Sequence, residues 1–171
     1  MKKLYLLALL PVFAIGFAGC GGSDETDTTS TGDGSKPKVA YVTNGIASFW
    51  VIAEKGAKDG AKEFNAEVDV LMPANGVEDQ KRMCQDALAK GIEGIAISPV
   101  DSDNQGELLS EIADHTNLIT QDSDAPDSKH LCYIGMDNYE AGRMCGQLVK
   151  EAMPDGGSVM IFVGRLGQTN A

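Results

Sequence analysis

Two short apolar runs late in the chain each end in carboxylates. Leu118, Ile119 and Thr120 lead into Gln121-Asp122-Ser123-Asp124-Ala125-Pro126, and residues 131–135 lead into Met136-Asp137-Asn138-Tyr139-Glu140. If both runs are strands, Asp122 and Asp137 lie at their C-terminal ends, where an open α/β sheet binds ligands between strand ends and helix N-termini. Asn44 leaves the first predicted strand toward the same edge, where it either bonds a ligand or shapes a turn. Phe49 and Trp50, the latter the chain's only tryptophan, open the first predicted helix. Adjacent helical residues cannot share one face, so core packing fully explains at most one of them.

The elements that must position these groups alternate. Strands are expected over residues 39–43, 67–71, 94–97, 118–120, 131–135 and 157–163, and helices over 49–65, 77–90, 104–115 and 139–153. Ser48 is a candidate cap for the first helix. Strands separated by helices of this length imply right-handed crossovers and a parallel sheet covered on both faces, an α/β, Rossmann-like fold. Asp101 and Asn104, after the third strand, read as capping residues of the helix that follows.

The start of the chain points to export. Lys2 and Lys3 precede an apolar run over residues 4–17, too short for a comfortable membrane span and followed by Ala18, Gly19 and Cys20. Residues 17–20 resemble the lipobox of bacterial lipoproteins, with Phe17 in place of the more usual leucine; the resemblance implies cleavage after Gly19 and lipid on Cys20. Residues 21–35 are nearly all Gly, Ser, Thr and Asp, the composition of a flexible tether. What remains is about 135 residues, one ordinary domain. A net charge of −11 argues against nucleic acid or an anionic membrane surface as partner.

Other chemistry finds little support. With Cys20 assigned to lipid, Cys84, Cys132 and Cys145 match no zinc or CxxC spacing and read as small buried hydrophobes. His115 and His130 lack metal-ligand spacing, and no GxSxG, P-loop or GxGxxG follows a strand. No cofactor is expected. A final strand at residues 157–163 without its crossover helix reads as a longer protein cut short.

Ser48-Phe49-Trp50, residues 91–102 (GIEGIAISPVDS), Asp122-Ser123-Asp124 and residues 134–143 (IGMDNYEAGR) occur in an order and spacing that resemble the first half of a ribose-type periplasmic sugar-binding protein. That family comprises the type I solute-binding components of ABC transporters. The resemblance implies a leader at 1–19, a lipid-anchored tether at 20–37, an N-terminal lobe at 38–136 and the start of a second lobe at 137–171. It implies a sugar held between lobes that close on it, with Phe49 and Trp50 as the aromatic pair and Asp122 as the carboxylate that accepts from two sugar hydroxyls. A pyranose has apolar C–H faces and a belt of hydroxyls, so flat rings and charged acceptors suit it. Asp137 and Asn138 would lie at the first crossing between lobes, where they either fix the crossing through hydrogen bonds or contact the ligand directly, and Arg165 is a weaker candidate from the second. Ser123 stands where the ribose branch carries an arginine, which leaves the sugar open.

The function so implied is an extracytoplasmic lipoprotein that captures a monosaccharide or related small polyol and passes it to an ABC permease, without covalent chemistry. The alternatives are a sugar or autoinducer sensor ectodomain partnering a signalling receptor, and an exported sugar-processing enzyme. This length of chain alone, with one lobe and the beginning of another, is expected to bind sugar weakly or not at all.

Overall fold

A computed structural model describes residues 35–164. The expected leader, the expected tether through residue 34, Cys20 and Arg165 lie outside the described residues. Strands β1 (Lys38–Val42), β2 (Glu67–Leu71), β3 (Gly94–Ile97), β4 (Asn117–Gln121) and β5 (Tyr133–Ile134) form one sheet in the order β2-β1-β3-β4-β5. Every pairing is parallel. Helix α1 (Ser48–Glu63) links β1 to β2, α2 (Val77–Ala89) links β2 to β3, α3 (Gly106–Ala113) links β3 to β4, and α4 (Asn138–Ala152) follows β5. The α/β class and the parallel sheet read from the sequence are present.

The order of strands explains where the helices go. The step from β1 to β2 runs toward one edge of the sheet and the step from β2 to β3 runs back past β1, so right-handed crossovers put α1 on one face and α2 with α3 on the other. Alternation along the strands supplies both faces. Ala40, Val42, Ile95, Ile97 and Leu118 point to the α2 and α3 side, where they pack with Cys84, Ala87, Leu109 and Ile112 into the core. Their register partners one residue on, Tyr41, Ala96 and Ile119, share the opposite face and are only half-buried. That second face holds an apolar hollow of about 400 Å³ beside α1, lined by residues including Val39, Tyr41, Phe64, Ala96 and Ile119.

Element ends follow local chemistry. Lys90 closes α2 and Gly91 takes φ +76, the left-handed step that ends a helix without a Cβ clash. Asp137 caps α4 by accepting from the Glu140 amide at 3.0 Å, the first half of a capping box. Ser48, by contrast, is the first helical residue rather than the cap. Ala47 occupies the cap position in extended backbone, with no side-chain bond.

Three other expectations fail. The fifth strand is two residues long, and residues 157–163 form no strand at all, since no neighbouring strand among the described residues supplies ladder partners. Cys132 and Cys145 are exposed rather than buried. Among the described residues only Cys84 is a core thiol, and its burial pushes its pKa up to about 12.

Candidate functional site

Strands β1, β3 and β4 are neighbours, so the loops leaving their C-terminal ends lie side by side. Asn44, Ser98 and Asp122 each lie within two residues of the end of their strand, and their side chains meet. The Asn44 amide nitrogen donates to Ser98 Oγ at 3.1 Å and to Asp122 Oδ2 at 3.4 Å, and Ser98 Oγ donates to the same Oδ2 at 3.0 Å. The position is also the switch point of the sheet, where connections from adjacent strands leave in opposite directions and open a crevice.

Backbone geometry aims Asp122. It has φ +62, and the Ser123 amide reaches back to the Gln121 carbonyl at 2.7 Å, closing a tight three-residue turn. Aspartate tolerates the left-handed region better than most residues, and strained backbone of this kind gathers at ligand sites. The turn is clamped from β5: the Asp122 amide donates to the Ile134 carbonyl at 3.1 Å, and the Tyr133 hydroxyl donates to the Asp122 carbonyl at 2.8 Å. Ser123 turns inward, its hydroxyl 3.0 Å from that of Ser102, with both residues buried. Ser123 therefore fastens the β3 and β4 loops together.

The two aromatic residues separate. Phe49 is 58% exposed and Trp50 is 4% exposed, their rings edge-to-face at 4.8 Å and 75°. Trp50 also meets Tyr41, whose hydroxyl donates to Gln121 Oε1 at 3.0 Å. Burial, and secondarily the Asp122 charge, raises the Tyr41 pKa. Tyr41 and Gln121 thus tie β1 to β4 beneath the crevice, across the small Ala96.

Asp137 and Asn138 stand apart from this cluster. Asp137 is engaged as the α4 cap, and Asn138 is the first residue of that helix, so both organise the exit from β5. Asp101 accepts from the Asn104 amide and side chain in the turn before α3, but neither residue caps the helix as expected: Gln105 holds the cap position, with no side-chain bond there.

Sequence reasoning missed Ser98, Tyr41 and the glutamines beneath them. Gln80, fully buried on α2, donates to the Thr43 carbonyl at 2.9 Å and the Ser98 carbonyl at 2.8 Å, while its oxygen accepts from the Val100 amide and from Gln105. One side chain thus holds the β1 and β3 loops in fixed relation. A signal was available: Gln80 falls in phase with Cys84 and Ala87 on the buried stripe of α2, a polar residue where periodicity demands an apolar one. Buried amides are kept only where every polar atom finds a partner.

A family model described as periplasmic binding protein domain matches residues 38–171. The ribose import binding protein RbsB of Escherichia coli is 26% identical over 147 residues, 84% of this chain and 49% of that protein. A solute-binding protein of an ABC transporter from Burkholderia graminis, solved in complex with D-arabinose, superposes with a TM-score of 0.76 at 27% identity, covering 81% of this chain and 49% of that one. A glucose-galactose binding protein from Geobacillus stearothermophilus gives a TM-score of 0.73 at 27% identity, with coverage of 80% and 50%. The chain spans about half the length of the proteins it matches.

Proposed function

Because the chain belongs to the periplasmic binding protein domain family, we propose that it carries one wall of a sugar site in an extracytoplasmic solute-binding lipoprotein that serves an ABC permease. The observation that carries this reading is the meeting of Asn44, Ser98 and Asp122 at the switch point, beside an exposed Phe49. Asp122 would accept from adjacent sugar hydroxyls, and Phe49 would lie against an apolar C–H face. The relatives whose names specify a ligand bind sugars: ribose, D-arabinose, and glucose or galactose.

Binding in this reading is reversible and non-covalent. The ligand favours a closed state because only there does a second wall contact it. Asp137 and Asn138, where the chain leaves β5, act in this scheme as supports of the crossing rather than as ligand contacts. Cys20 would carry the lipid that holds the domain at the membrane.

The test is a thermal-shift screen of monosaccharides and small polyols on the product of the complete reading frame, with Asp122→Asn as control. Asparagine also tolerates positive φ, so the control removes charge while sparing the turn. A sugar that stabilises the wild type and not the variant supports the reading. No stabilisation by any sugar in a folded protein would sink it.

A further inference from the structure

The indole of Trp50 donates from Nε1 to Asn44 Oδ1 at 3.0 Å, within a ring that is 4% exposed. An indole N–H only donates, so the group facing it must be the amide oxygen, and the amide nitrogen must then face the opposite way. That opposite direction holds Ser98 Oγ at 3.1 Å and Asp122 Oδ2 at 3.4 Å. A reversed amide would set N–H against N–H at the indole. We infer that Trp50 is a positioning residue, which orients Asn44 and through it the Asp122 carboxylate, while Phe49 alone of the aromatic pair supplies a surface to the ligand.

This inference rests on the sugar-site reading for its consequence but not for its geometry. The chain from Trp50 through Asn44 to Asp122 consists of hydrogen bonds between buried or half-buried groups, where a misplaced donor is costly. The edge-to-face contact with Phe49 and the contact with Tyr41 fix the indole plane, so the donor direction is set by packing before any ligand arrives. In Trp50→Phe an aromatic ring remains and the donor is lost. A stacking role and a positioning role therefore predict different outcomes for that one substitution.

The test has two arms. In the first, the indole N–H signal of the single tryptophan and the side-chain NH₂ signals of Asn44 are followed by NMR in the 171-residue chain. Slow indole exchange that becomes fast in Asn44→Leu, with displaced Asn44 signals in Trp50→Phe but not in Phe49→Leu, is the expected result. An indole that exchanges fast in the wild type, or is unchanged in Asn44→Leu, overturns the inference whatever the protein binds. In the second arm, calorimetry on the product of the complete reading frame measures affinity for the sugar found by the screen. Trp50→Phe should weaken it roughly three- to tenfold, the effect of one net hydrogen bond. Unaltered affinity in Trp50→Phe would overturn the positioning role. If no sugar binds any form while the NMR pattern holds, the sugar reading fails and the orientation of Asn44 by Trp50 stands.

Discussion

Residues 38–121 and residues 138–164 carry similar apolar patterning and reach different ends. In the first region the stripes of α2 and α3 close over β1, β3 and β4, and Ile97, Leu109 and Leu118 are at most 1% exposed. In the second, α4 has no buried residue, and Tyr139, Met144 and Leu148 on α4 and Met160, Ile161 and Phe162 beyond it are all more than 60% exposed. Periodicity therefore states which face must be buried and is silent on what covers it. Helix α4 can form regardless, because its backbone bonds are internal and Asp137 caps it. Residues 157–163 cannot become a strand alone, because a strand's bonds belong to its neighbours.

Hydrogen exchange is the strongest way to break this comparison. Amides of β3 and β4 should exchange at least about a thousandfold more slowly than those of α4, since core strands open only near global unfolding while an unpacked helix frays. Equal protection in both regions would mean that α4 has a cover in solution. Truncation gives the next contrast: Leu109→Ala should cost about 2–5 kcal/mol in urea unfolding, and Leu148→Ala less than about 0.5 kcal/mol.

Gln80 sharpens the comparison within the packed region. Gln80→Leu should destabilise by about 1–3 kcal/mol, because the Thr43 and Ser98 carbonyls lose their buried donor and the Val100 amide its acceptor. Stability equal to wild type would mean that the loops are held by other contacts. A further effect, confined to alkaline pH, concerns Cys84. Its pKa stands at about 12 in the fold against an ordinary 9.0, so the unfolded chain loses the proton first. The thiol's contribution is intact below pH 9 and falls as pH rises toward 12, by about 1 kcal/mol at pH 10. Cys84→Ala should remove that part of the alkaline slope, while Cys132 and Cys145 react with thiol reagents in the native protein.

Strand positions 67–71 and 94–97, the order of elements, and Asp122 with Asn44 at one edge were legible, because they depend on alternation and on the rule that places loops after strands. The partners of those side chains were not. Nothing in the local sequence says that Ser98 shares Oδ2 of Asp122 with Asn44, a contact made across three strands. Nor does it separate Phe49 from Trp50: which neighbour on a helix turns inward depends on the angle at which α1 crosses the sheet. The buried Gln80 could have been found, but only by treating a break in the apolar stripe of α2 as information rather than noise.

The left-handed turn at Asp122 limits how this site could change its preference over generations. A residue that, on the proposed sugar-site reading, must be acidic to grip hydroxyls and must also accept φ +62 has few substitutes. Asparagine and glycine fit the backbone without the charge, and glutamate keeps the charge on a side chain poorly suited to that conformation. Mutational drift toward a new ligand would therefore meet least resistance at the rim, at Phe49 and the loops around it, while position 122 remained an anchor that successive ligands share.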